Sequence, residues 1–216
     1  MGRVEVEPGL TGGFVRLSAL AVLAISSGMA FWGRFQFAAS ASAQSSQASG
    51  PQYDSTGALV RPKNFETWVF VGASTGLSYQ EASKPSGMGS FHNVYLRPEA
   101  YKTYLETGQF PEKAMLVLAI YDPAQKVEPA HGGYFEGQFA ALDVAVKDHE
   151  HFPNGWAYFN FGQRGNLAEA VHPVEGDRCF TCHKERGADD NVFVQFYPIL
   201  RRIFETHKLG VSSPGP

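Results

Sequence analysis

At 216 residues and 44% hydrophobic, the chain is long enough to bury one substantial core beside a leader or a tail. Its 18 basic and 21 acidic side chains leave a formal charge of -3 with no basic run or block of like charge, which argues against nucleic acid and anionic membrane surfaces as partners. Only two cysteines occur, and both fall in one pentapeptide, so a disulfide framework is excluded and the thiols serve a single site.

The N-terminus carries an uncharged stretch from Leu17 through Leu20, Leu23 and Ile25 to Phe31 and Trp32. Its apolar core is shorter than the roughly 20 residues a spanning helix needs. Ala41-Ser42-Ala43 downstream has the small-residue pattern of a signal-peptidase site. Residues 1–43 therefore read as a secretory signal cut before Gln44, which places the mature chain in the periplasm. An uncleaved membrane tether stays open as the alternative, because Glu5, Glu7 and Arg34 interrupt the pattern. Residues 44–62 are rich in Ser, Gly and Gln and read as a flexible tether, since such a composition buries little apolar surface. A folded domain is expected over 63–208 and a disordered tail over 209–216.

From Phe65 onward, short apolar runs are bounded by Gly, Pro, Asn and Asp, the pattern of strands. Five are expected: residues 67–71, 91–96 with His92 and Asn93 near its start, 114–121, 138–147 with its Ala-Leu-Asp-Val-Ala-Val run, and 156–161. Rich in aromatic and β-branched residues, they suggest an antiparallel sheet with one buried face. Helices are few. Residues 97–108 open on Pro98 and Glu99, space Tyr101, Tyr104 and Leu105 helically, and close on Gly108. A second helix is expected over about 191–206, kinked or split by Pro198. The fold class is α+β, mainly β.

Cys179-Phe180-Thr181-Cys182-His183 carries the chemistry. Two cysteines three residues apart on a helical turn direct both sulfurs to one side, where they can add to the two vinyl groups of a haem. The histidine that follows then reaches the iron as an axial ligand. One covalent haem c is thus expected, held by Cys179, Cys182 and His183, with His183 on the metal. Zinc would require further ligands, and a thioredoxin-like pair would require a βαβ context; the sequence has neither.

The other axial position separates electron transfer from ligand chemistry. Met88, in a Gly-Ser loop, is the one plausible methionine ligand, because Met115 lies in an apolar strand where packing is expected. His131, His149, His151 and His207 read as solvated. The sequence leaves the sixth position open.

The motif, followed by Asp190-Asn191-Val192-Phe193-Val194-Gln195-Phe196-Tyr197-Pro198 and preceded by Val146-Lys147-Asp148 and Gly155-Trp156-Ala157-Tyr158-Phe159, resembles the cytochrome P-460 family, which includes the cytochromes c′-beta. The likeness spans most of residues 65–204. It implies an antiparallel β fold around one haem, with His183 proximal and a distal face open to small molecules. It also implies, for the catalytic branch, a lysine bonded to the porphyrin. The matching position here is Leu118, and the neighbouring Lys113 falls in a turn.

Two functions follow from that likeness and a third from the open sixth position. The first is binding of nitric oxide or carbon monoxide at a five-coordinate iron. The second is an oxidoreductase acting on hydroxylamine or nitric oxide, and the third is an electron carrier with a filled sixth position. The expected partners are the small ligand, another redox protein and a second copy of the chain.

Overall fold

A computed structural model describes residues 50–77, 88–125, 127–176 and 178–210. The expected leader, the tether up to residue 49 and the tail from 211 lie outside the described residues.

The main sheet is an antiparallel meander of five strands: β2 (Val69–Thr75), β3 (Phe91–Leu96), β4 (Met115–Ala124), β5 (Phe135–Lys147) and β6 (Trp156–Gln163), adjacent in chain order. All five correspond to the apolar runs in the sequence. Between β3 and β4 lies helix α1 (Pro98–Thr107), which starts on its proline and ends at Gly108, where a φ of 66° lets the glycine N–H return to the Tyr104 carbonyl at 2.8 Å. The helix buries Ala100 and Tyr104, whereas Leu105, placed on its apolar face by spacing alone, is 48% exposed.

The fifteen or so residues after the cysteine motif do not form one helix. A 3-10 turn at Val194–Phe196 is followed by a helix, Pro198–Lys208, so Pro198 splits the segment by occupying the first helical position, where its missing N–H is harmless. The start of that helix lies tight over β2: a side chain at Gly72 would come within 3.1 Å of both the Pro198 ring and the Tyr197 backbone. The motif itself lies on a separate helix, Arg178–Arg186. In chain order these are α2 and α3.

Both faces of the sheet are buried, not one. Side chains alternate across a strand, so in β4 Leu116 and Leu118 meet α1, α3 and the 192–200 segment, while Met115, Val117 and Ala119 turn to the opposite face. The second face is covered by the segment read as a tether. From Gly50 the chain packs in place: Pro51 and Leu59 are buried, and a short strand β1 (Leu59–Val60) pairs with β7 (Ala170–Val171). The Ser/Gly-rich composition hid a few apolar anchors, Leu59 and Tyr53 among them, that are enough to dock the segment against Phe65, Trp68 and the odd-numbered face of β4. The folded part therefore begins earlier than residue 63.

Candidate functional site

A cavity of ≈ 410 Å³ lies between the sheet face carrying Val94, Leu116, Leu118 and Tyr158 and an opposing wall made by Cys179 and His183 of α2 with Val192, Phe193 and Tyr197. That size falls within the range of small-molecule and cofactor sites, and the walls are mainly apolar with few polar groups. Four residues apart on one helix, Cys179 and His183 share a face, which is why both reach the cavity. Both cysteines are free and half-buried; Cys182, a turn after Cys179, is not part of the cavity wall. Burial, with the Asp143 carboxylate adding to it, pushes the Cys179 thiol above its usual range.

His183 is held on three sides. Its ring centroid lies 4.3 Å from that of Tyr158 and 4.4 Å from that of Phe193. Its Nδ1 is 2.9 Å from the Asn191 carbonyl oxygen. A carbonyl only accepts, so Nδ1 donates its proton there and Nε2 keeps its lone pair. Burial lowers the imidazole's affinity for a second proton, partly offset by that hydrogen bond. A neutral imidazole with a fixed tautomer and a free Nε2 is the form that ligates a metal.

The turn that brings Asn191 back depends on Gly187, whose N–H bonds the His183 carbonyl at 2.8 Å. A Cβ there would come within 2.6 Å of that carbonyl oxygen and 2.9 Å of the Asn191 carbonyl carbon. Both Asp190 and Asn191 then take left-handed backbone, with φ of 45° and 61°.

Met88 does not line the cavity. The histidines read as solvated are engaged elsewhere or exposed: His149 with Glu112 at 2.7 Å, His151 with Asp148 at 2.8 Å, His207 with the Leu105 carbonyl at 3.0 Å, and His131 at the surface. Lys113 is also away from the cavity, its ammonium 2.5 Å from Asp148 and 2.9 Å from Glu150. Leu118 lines the cavity directly.

The scan against family models matches cytochrome P460 over residues 62–194, more than half of the chain. The chain belongs to the cytochrome P460 family. No curated protein matches it. Membership implies a haem cofactor, and the cavity fits one: an apolar slot, a cysteine on its wall and a histidine presenting an unprotonated nitrogen. In this cytochrome P460 chain no lysine is among the described residues that line the cavity.

A charged residue of the site escaped the sequence reading. Among the described residues Asp143 is the one carboxylate lining the cavity, between Leu118 and Asn160 in the strand register, and accepts a 2.7 Å hydrogen bond from the Asn160 amide. Burial pushes its pKa up, and the Asn160 bond only partly counters that. The signal was present: an aspartate in the Ala-Leu-Asp-Val-Ala-Val run breaks an apolar strand. His92 shares the face of β3 that carries Val94, though it does not line the cavity, and burial lowers its pKa.

Proposed function

We propose that this chain is an exported single-haem protein of the cytochrome c′-beta kind that binds nitric oxide or carbon monoxide at an iron ligated by His183 alone. Cys179 and Cys182 would form the thioethers. One observation carries the reading: among the described residues lining the cavity, His183 is the sole histidine and no methionine or lysine joins it. A bound haem would supply an iron centre able to take a diatomic ligand. The chain's own part is to fix the His183 tautomer through Asn191, line the cavity with the apolar Leu116, Leu118 and Val94, and offer no second histidine and no methionine among the described lining residues.

The test is the optical spectrum of the reduced, haem-loaded chain before and after nitric oxide and after carbon monoxide. A high-spin ferrous spectrum that changes with each gas is expected. A low-spin spectrum indifferent to both would overturn the reading and favour an electron carrier, with His92 as the residue to test for the sixth position. Export is checked by the N-terminal sequence of the mature chain from a cell envelope fraction, expected to begin at Gln44.

Asp143 favours a second reading, an oxidoreductase acting on hydroxylamine or nitric oxide. A carboxyl whose pKa is raised inside the cavity can hold a proton at Oδ or accept one from a substrate N–H or O–H. Leu118 weighs against it. Mass spectrometry of the haem peptide decides: a third protein attachment to the porphyrin would restore the enzyme reading.

A further inference from the structure

The loop that positions His183 is itself clamped from three elements. Asp190 Oδ2 accepts from the Lys147 ammonium at 2.8 Å, and its Oδ1 accepts from the Trp156 indole N–H at 3.1 Å. Lys147, 14% exposed, also donates to the Phe110 carbonyl at 2.8 Å, and Trp156 is buried against Phe110. One residue earlier, Asp189 accepts from the Tyr104 hydroxyl of α1 at 2.9 Å. Tyr158, already against the His183 ring, donates its hydroxyl to the Asn191 carbonyl at 3.3 Å. Charge-assisted bonds are the strong ones, and here the Lys147 ammonium is largely shielded while the Asp190 carboxylate is 33% exposed. None of these groups touches the cavity except Tyr158 and Asn191.

Left-handed backbone at Asp190 and Asn191 is that of a tight turn closed by the Val192 N–H on the Asp189 carbonyl at 2.8 Å, a conformation Asp and Asn tolerate. The Asp190 side chain ties that turn to Lys147 and Trp156, and the turn carries the Asn191 carbonyl. We propose that Asp190 is a positioning residue for the proximal ligand: gripped by Lys147 and Trp156, it fixes the turn that delivers the Asn191 carbonyl to Nδ1 of His183, and so sets how strongly that imidazole donates to the iron. This rests on the reading of His183 as haem ligand. A hydrogen bond from Nδ1–H makes a ligating histidine a stronger donor. Stronger donation stabilises ferric over ferrous iron. Loosening the clamp therefore raises the reduction potential.

The experiment uses the full haem-loaded chain and the variants Asp190→Ala, Asp190→Asn and Trp156→Phe. Covalent haem content should be unchanged. In Asp190→Ala the ferrous form should gain about tenfold over the ferric, a rise of ~59 mV for one electron, with the iron–histidine stretching band at lower frequency. Asp190→Asn, which keeps an acceptor for the indole, should fall between. Where Asp190→Ala does not accumulate, Trp156→Phe removes the indole donor while keeping an aromatic ring in the core and decides the matter. Unchanged potential and band in variants that bind haem, even with a lowered melting temperature, would reduce the clamp to a structural role and overturn the proposal. The midpoint can be read whatever the coordination number. A six-coordinate wild-type haem would thus defeat the gas-binding reading while leaving this comparison decisive.

Discussion

Two aspartates five residues apart on one stretch of chain meet opposite fates. Asp143, in β5, faces the cavity with one amide partner, and burial raises its pKa. Asp148, just past the end of the strand, is 0% exposed and accepts from Lys113, Tyr53, His151 and the backbone N–H groups of Glu150 and His151. Burial would raise its pKa too, but Lys113, Tyr53 and His151 together pull it below the usual carboxylate range. A carboxylate supplied with donors is a structural rivet, whereas one left short of them is a proton-holding group. The sheet divides the same way, into a back face sealed by residues 50–68 and a front face that keeps room.

The largest effect that would break this comparison is expected at Asp148. Asp148→Ala removes the acceptor from several buried donors and should cost about 3 kcal/mol, the low end for a broken buried pair because solvent reaches Lys113. Denaturant unfolding checks it, and a loss below 1 kcal/mol would show that the rivet is decorative. The pH dependence has a definite sign. Because the folded pKa lies below the unfolded value of about 3.9, Asp148 stabilises above that pH, and its contribution is lost as pH falls through the lower folded value. Wild-type stability should drop in acid more steeply than that of Asp148→Asn.

Next come neighbours on β4 that point to opposite faces. Met115→Ala, at a 2% exposed position of the back face, should destabilise by about 2–5 kcal/mol and leave the gas-bound spectrum intact. Leu118→Ala should destabilise less and change carbon monoxide association kinetics. The reverse pattern would mean that the faces are misassigned. Asp143→Asn should alter stability by less than about 1 kcal/mol, since its single partner is an amide. It should also flatten any pH dependence of ligand binding above the usual carboxylate range, so a retained dependence would move the proton to another group. The smallest effect is expected at His92→Leu, which should leave the reduced spectrum as it was; a shift to high spin would place His92 on the iron.

The sheet and α1 were readable because their signals are local: apolar runs, a proline at a helix start, a glycine at its end. Pro198 even announced where the second helix would divide. Cys179, Cys182 and His183 stood out by their spacing, and of these Cys179 and His183 line the cavity. What the sequence concealed depends on contacts between distant segments. Leu59 reads as one leucine in a polar stretch until Val171 pairs with it. Asp143 reads as an ordinary charge in a strand until the fold encloses it. Asn191 has no chemical signal at all, because its contribution is a main-chain carbonyl aimed by a turn that Gly187, Asp190, Lys147 and Trp156 jointly shape.

The order of the meander has a consequence in time. Strands β2 to β6 pair with their chain neighbours, apart from the α1 crossover, so closing each pair requires only a modest loop; β1 meets β7 only after residues 59 and 171 have found each other. Long closures are entropically dearer and tend to come late. The two tryptophans of the described residues report on different faces, Trp156 in the front cluster and Trp68 in the back one. On this hypothesis, stopped-flow refolding of a Trp68→Phe chain should complete its fluorescence change before that of Trp156→Phe, and simultaneous traces would refute it. The front wall, which must receive a prosthetic group, would then take shape while its reverse side is still open.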